Sequence, residues 1–430
     1  MRLLLRRGLA AAGAAVLLLG AAACGDDSDS GADGGPVELR FSWWGNADRA
    51  AATQKVIDAF QKANPKIKVK GETTDFNAYF DKLATEVAAG SAPDVITLGG
   101  AYPREYGDRG ALLDLAKVDD VLKTDKLGEA ALSNGNFGDK QYGVPSGVNA
   151  ISLVVNPALV AKAGVTLPDT ETWTWDDFNR VARELAGKLP KGTFALTDPT
   201  RTDMLDVWSR QRGEGLYTED GKVGISEPVL TEWFRQSVAL RDAKVTPPAA
   251  TTAELQTQPA PEQTLMGRNL AAMQFDWTNQ VTALSKAAGQ ALELHRVPGE
   301  SAEPGQWLQA SQLYTINARS KHPKEAARFV DFLVNSEEAG KIILTDRGIP
   351  SNTDVRDAIL PSLTPDQSVS VSYIEKLAAK VGPPLVIGPT GSTDTPQILD
   401  RLNVELLFNR KTPEAAAKDF VAQVKTAIKE

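Results

Sequence analysis

Two short runs of the chain set tryptophan beside amide and carboxylate groups. The first is Trp43-Trp44-Gly45-Asn46-Ala47-Asp48-Arg49, and the second is Asp276-Trp277-Thr278-Asn279-Gln280. A flat apolar ring next to planar hydrogen-bonding groups is the chemistry a sugar needs. The C–H faces of a pyranose pack on the ring, and its hydroxyls take carboxylate, amide and guanidinium partners. Trp43, Trp44, Asn46 and Asp48 are therefore candidates for one wall of such a site, and Asp276, Trp277 and Asn279 for another. Neighbours on a strand face opposite ways, so one of Trp43 and Trp44 belongs to a core, and the sequence leaves open which. Trp307 and Gln309 form a further candidate pair in a polar loop.

Other chemistries are weaker. Paired carboxylates beside aromatics also describe a carbohydrate-active hydrolase, with Asp48, Asp75 and Asp276 as candidate acid and base. However, the only histidines, His295 and His322, are not near a nucleophile signature, and no glycine-rich phosphate loop or metal-ligand spacing occurs. The expectation is a binding protein that is not an enzyme and needs no cofactor and no metal. Arg49, Arg104 and Arg210 keep open a ligand with an anionic group, such as a sugar phosphate or a sulfonated sugar. A polyamine would need a carboxylate cage, which is not evident.

These residues require elements to position them. Leu39 to Trp43 reads as a buried strand that runs into Gly45, with Asn46 as N-cap of a helix whose Thr53, Val56, Ile57 and Phe60 share one face. Such a strand end is where open α/β sheets hold ligands. Ile67 and Val69 alternate as a second strand, Asp75 caps a second helix that ends at Gly90, and Pro93–Leu98 is a third strand. This alternation implies a parallel sheet. Asp119–Ser133 reads as a further helix. Ile151–Val155 starts a new buried strand, and Asn156-Pro157 caps a new helix, so a boundary is expected between Val144 and Asn149. Thr174 and Asp177 form a capping-box pattern before Phe178, Val181 and Leu185. Trp175, Trp208 and Trp233 read as core residues.

The chain's 430 residues favour two domains, and 42% hydrophobic with 24% charged residues describe a globular protein. The first residues stand apart. Arg2, Arg6 and Arg7 precede the apolar run Leu9–Ala23, which is short for a membrane span and has the layout of an export signal. Arg6-Arg7 leaves the export route open between general secretion and a twin-arginine pathway. Asp26–Pro36 is rich in Asp, Ser and Gly, the composition of a flexible tether. Removal of the signal takes the formal charge from −8 to −11, which disfavours nucleic acid and anionic membrane surfaces. The one cysteine, Cys24, leaves the domain with no thiol chemistry.

Leu19-Gly20-Ala21-Ala22-Ala23-Cys24 resembles a bacterial lipoprotein signal, although Ala21 replaces the usual large aliphatic residue. It implies lipidation at Cys24 and a location on the outer face of the cell membrane, held there by the lipid only. Tyr142–Pro145 through Val155-Asn156, then Trp173–Phe178, Ala272–Trp277, and Ser320–His322 with Glu325–Val334, in this order, resemble the extracellular solute-binding proteins of ABC transporters. They are most similar to the carbohydrate-binding family 1, which includes the maltose-binding protein. The resemblance implies a type II periplasmic-binding-protein-like α/β fold of two hinged lobes with the ligand cleft between them. It implies a first lobe of 37–145 and 291–334, and a second of 146–290 and 335–430, after a signal over 1–24 and a tether over 25–36. Trp277 matches a tryptophan that stacks on a sugar ring from the second lobe. Gly100, Ala101 and Tyr102 match a loop that contacts hydroxyls from the first, with Ala101 where maltose-binding protein has a carboxylate. Asn149 completes the candidate hydroxyl partners. The implied partners are a mono- or oligosaccharide and the permease of an importer, with the chain itself a monomer.

Overall fold

The computed structural model describes residues 35–45, 47–99, 102–255 and 260–430. The expected signal, Cys24, the tether up to Gly34, the candidate cap Asn46 and the loop residues Gly100 and Ala101 lie outside the described residues. In chain order the strands are β1 (Val37–Trp44), β2 (Ile67–Thr74), β3 (Val95–Leu98), β4 (Asn136–Phe137), β5 (Lys140–Gln141), β6 (Gly143–Asn149), β7 (Ile151–Val155), β8 (Phe194–Leu196), β9 (Ala271–Trp277), β10 (Glu293–His295) and β11 (Gln309–Ile316). They build a five-stranded sheet of order β2-β1-β3-β11-β6 and a four-stranded sheet of order β10-β7-β9-β8, with β4 and β5 as a separate hairpin. Each larger sheet is the centre of one lobe of a mixed α/β, two-lobed fold.

Alternation along β1 builds the first lobe. Leu39, Phe41 and Trp43 point to one face and are buried, and the helix Ala47–Ala63 covers them with Thr53, Val56, Ile57 and Phe60. The spacing of those four residues forms one helical stripe. Phe329 from the helix Pro323–Asn335 closes the same core, with its ring 5.2 Å from Phe41 and 4.9 Å from Phe60. β1 is parallel to β2 and β3, whereas β11 runs antiparallel between β3 and β6. In the second lobe, Thr174 and Asp177 make the full capping box of the helix Trp175–Lys188. Its Phe178, Val181 and Leu185 are fully buried with Trp208 and Trp233 in the second core. The expected helix over Asp119–Ser133 is absent. A 3-10 turn at Leu115–Val118 precedes that span, and within it the α-helix is only the four residues Glu129–Leu132, which start after Gly128 at φ 74°.

The sheets move the expected lobe limits. β6 stays in the first sheet to Asn149, so the crossover falls at Ala150, just past the expected span. β10 pairs with β7 in the second sheet, so 291–295 does not return to the first lobe, and the second crossing lies between His295 and Gln309. The helix Glu337–Ile343 puts Ala339 into the first core, and the helix Thr353–Ile359 packs on it through Val355 beside Gly340. The segment after 335 thus remains with the first sheet before the chain crosses a third time, ahead of the helix Pro365–Ala378. That helix, with Val148, Ala150, Leu308 and Ile349, forms a small core under the crossings.

Candidate functional site

The ambiguity at the end of β1 resolves by packing. Trp43 is 3% exposed, its ring lies 4.9 Å from Phe41, and Gly71 on β2 makes room for it, since a Cβ there would come within 2.8 Å. Trp43 is therefore a core residue, which corrects its place among the candidates. Trp44 turns to the opposite face, where its ring lies 5.4 Å from Tyr79 and 5.4 Å from Phe80. Tyr102, the first residue of the helix Tyr102–Asp108, stacks on Phe80 at 3.8 Å and 11°. Trp44, Phe80 and Tyr102 thus form one partly buried aromatic group at the carboxyl ends of β1 and β3. Asp48 is exposed in the first turn of its helix, where a carboxylate complements the helix dipole.

A second aromatic group stands at the end of β9. Trp277 is half-buried and meets Trp307 edge to face at 6.0 Å. Trp307 is 5% exposed, donates its indole N–H to Gln309 Oε1 at 2.9 Å, and has the Arg210 guanidinium 5.3 Å from its ring. Gln309 thus fixes Trp307, whose ring packs against Trp277. Gln309 also donates to Asn134 Oδ1 at 3.2 Å. The register then runs through the crossover: Gln309 pairs with Asn149 in the first sheet, and Ile151 pairs with Trp277 in the second. Asn149 is buried, with Thr278 Oγ1 at 3.5 Å from its Oδ1. Asn279, one residue on, is exposed.

Asp276 is engaged by three donors. Its Oδ1 accepts from Arg201 at 3.2 Å and from the backbone N–H of Trp277 at 2.9 Å, and its Oδ2 accepts from Gln274 at 2.7 Å. Arg201 also pairs with Asp203 at 2.7 Å. Burial opposes the charge of Arg201, but the charges of Asp203 and Asp276 outweigh it and hold the guanidinium above its ordinary value. Asp276 is placed here as the anchor of Trp277 rather than as a free acceptor. Arg201 went unnoticed in the sequence because nothing local links 201 to 276. Thr278 was missed likewise, although it is fully buried and fastens the crossover. Its N–H donates to Ala150 O at 2.9 Å, and its Oγ1 lies 3.3 Å from Ala150 N.

The two aromatic groups border one loop. Arg104, two residues beyond Tyr102, donates to Ile387 O at 2.9 Å. Arg210, against Trp307, donates to the carbonyls of Pro383 and Pro384. Leu385 in this loop packs on the second core. Among the described residues no group of three or more His, Cys, Asp or Glu could hold a metal ion. No helix among them is long and apolar enough to cross a membrane.

Comparison with known proteins agrees with this architecture. The profile of the bacterial extracellular solute-binding protein family matches residues 44–340. A solved family 1 extracellular solute-binding protein from Alicyclobacillus acidocaldarius superposes with a TM-score of 0.76 at 27% identity, covering 93% of this chain and 100% of the other. The diacetylchitobiose-binding protein of Streptomyces coelicolor is 26% identical over 361 residues, 80% of this chain and 82% of its own. A maltooligosaccharide ABC transporter solute-binding lipoprotein of Streptococcus pneumoniae is 25% identical over 354 residues, 78% of each chain.

Proposed function

Because the chain belongs to the bacterial extracellular solute-binding protein family, we propose that it captures a mono- or oligosaccharide between its two lobes and delivers it to the permease of an ABC importer. The observation that carries this reading is the loop Pro383–Ile387. It is held by Arg104 beside Tyr102 on one lobe and by Arg210 beside Trp307 on the other, so that an aromatic surface from each lobe borders the same space. Trp277 stacks on a sugar face from the second lobe, and Trp44 with Tyr102 lines the first. Asn149 and Asn279 offer hydroxyl partners, with Asp48 at the rim. The names of the Streptomyces and Streptococcus relatives support a sugar ligand.

Lobe closure turns about the crossover at Ala150 and the two later crossings, with the first lobe taken as the β1–β6 and β11 region and the second as the β7–β10 region. The protein does no chemistry on its ligand. It is held on the outer face of the membrane through lipidated Cys24 and acts as a monomer. A neutral sugar is favoured over a sugar phosphate or sulfonated sugar, because Arg49 is paired with Asp346 at 2.8 Å, Arg104 lies 3.6 Å from Asp108, and Arg210 has the carboxylates of Asp206 and Glu300 near it. A thermal-shift screen over neutral and anionic carbohydrates tests this. A ligand at 100 times its Kd adds about 2.7 kcal/mol of stability. A shift with anionic sugars alone would overturn the neutral-ligand reading, and no shift with any sugar would overturn the proposal itself.

A further inference from the structure

An open cavity of about 360 Å³ lies away from the aromatic groups, between the helix Pro365–Ala378 and the β10 edge of the second sheet. Its volume is within the range of small-molecule sites. One side is a stripe at four-residue spacing, Ser368, Ser372, Lys376 and Lys380, and the floor is apolar, from Leu294, Val369 and Leu377. Arg296, 8% exposed, closes the inner end. Its guanidinium bonds only backbone, to Glu171 O at 3.3 Å and Glu300 O at 3.0 Å, and its Nε has no partner. The buried Glu300 carboxylate accepts its hydrogen bonds from the N–H groups of Gly305 and Gln306 and from the amide of Gln211.

The charges around the cavity are unbalanced. Glu171 is the one carboxylate on its lining, and Lys380 already pairs with it at 3.0 Å. Lys376 is exposed and makes no ion pair among the described residues. The Arg296 guanidinium, with its Nε unpartnered, has the buried Glu300 carboxylate near it, so Lys376 is the positive charge left over above the apolar floor, one helical turn from Ser372. A guanidinium and an ammonium at the edge of an apolar concavity match an anionic group on a hydrophobic body.

We propose that this cavity is a second ligand site, separate from the cleft, for a small organic anion that carries one carboxylate or phosphate on an apolar body. The apolar body packs on Leu294, Val369 and Leu377, and the anionic group meets Lys376, Arg296 and Ser372. This site stands whether or not the cleft binds a sugar.

Calorimetric titration of the purified protein with phenyl phosphate and with benzoate tests it, with inorganic phosphate as the probe that lacks an apolar body. The expected result is saturable one-site binding of at least one aromatic probe and weaker binding of inorganic phosphate. The probe that binds more tightly tells phosphate from carboxylate. Lys376→Glu should weaken binding by at least about 10-fold, as loss of one charged hydrogen bond does. This side chain is exposed and unpaired, so the variant should melt like the parent, and Trp277→Ala should leave probe binding unchanged. No saturation by either aromatic probe up to about 10 mM, unchanged affinity in Lys376→Glu, or loss of probe binding in Trp277→Ala would each overturn the proposal.

Discussion

The guanidinium of Arg104 donates to the backbone carbonyl of Ile387 at 2.9 Å, which joins a helix of the first lobe to a loop seated on the second. Because the acceptor is a backbone carbonyl, no substitution at 387 other than a change of loop shape removes it. Arg104→Ala is therefore the clean way to break the contact. A hydrogen bond from a charged donor contributes about 1.5–3 kcal/mol. If it forms only when the lobes are together, the variant should release the identified sugar faster, with an unchanged melting temperature of the free protein. Stopped-flow dissociation rates check this, and an unaltered rate would remove Arg104 from closure.

Trp277→Ala should cost on the order of 1 to 3 kcal/mol of binding, a roughly 5- to 150-fold weaker Kd, because an apolar sugar face loses its stacking partner. The fold should survive, since Trp277 is only half-buried. Trp233 is 1% exposed within the second core, and Trp233→Ala should instead destabilise by about 3–5 kcal/mol. Calorimetry and urea unfolding on both variants separate the two roles. Equal sugar affinity in Trp277→Ala would show that the stacking surface lies elsewhere.

Arg201→Ala leaves Asp203 and Asp276 without their cation at a site where both side chains are largely buried, at 12% and 13% exposed. Breaking a buried pair from one side costs about 3–5 kcal/mol, and partial exposure brings that towards the lower figure. Sugar affinity should fall as well, through the loosened Trp277 backbone. Asp276→Asn, which can still accept from the Trp277 N–H, should keep most of the affinity. If Arg201→Ala unfolds at the parent's urea midpoint, the network is not structural.

Burial lifts the carboxyl of Asp206 from 3.8 to about 6. The folded chain holds this proton more tightly than the unfolded one. The resulting stabilisation is complete below pH 3.8 and is lost as pH rises to about 6, with an upper size of roughly 3 kcal/mol. Asp206→Asn retains an acceptor for the Leu216 N–H, which now lies 3.2 Å from Oδ1. The variant should gain about 1–3 kcal/mol at pH 7–8 and lose this part of the pH dependence. Urea unfolding across pH 4–8 measures it, and parallel curves for parent and variant would refute the assignment.

What could be read from the sequence was local. The stripe Thr53, Val56, Ile57 and Phe60, the Asp75 cap and the Thr174–Asp177 capping box each depend on residues within one or two turns, and each is present. Alternation required one buried tryptophan at 43–44 but could not choose between them, because the choice depends on Gly71 making space from another strand. The bonds made by Asp276, Gln309 and Trp307 were out of reach of the sequence for the same reason. Their partners Arg201, Asn134 and Arg210 are distant in sequence, and a polar side chain reads alike whether it waits for a ligand or supports a neighbour. The lobe limits missed the short β10, three residues whose pairing with β7 no local pattern announces.

The place of β11 has a consequence for biogenesis. It is an interior strand of the first sheet, paired on one side with β3 and on the other with β6, yet it follows every strand of the second sheet in the chain. A polypeptide emerging from a ribosome or a translocation pore, amino terminus first, has β1, β2, β3 and β6 available early, but a gap remains between β3 and β6. All four strands of the second sheet come out before the one that fills the gap. The half of the molecule that is made first is therefore the half that must wait, with the edges of β3 and β6 unpaired in the meantime, and this interval is when the nascent chain most needs a holding chaperone.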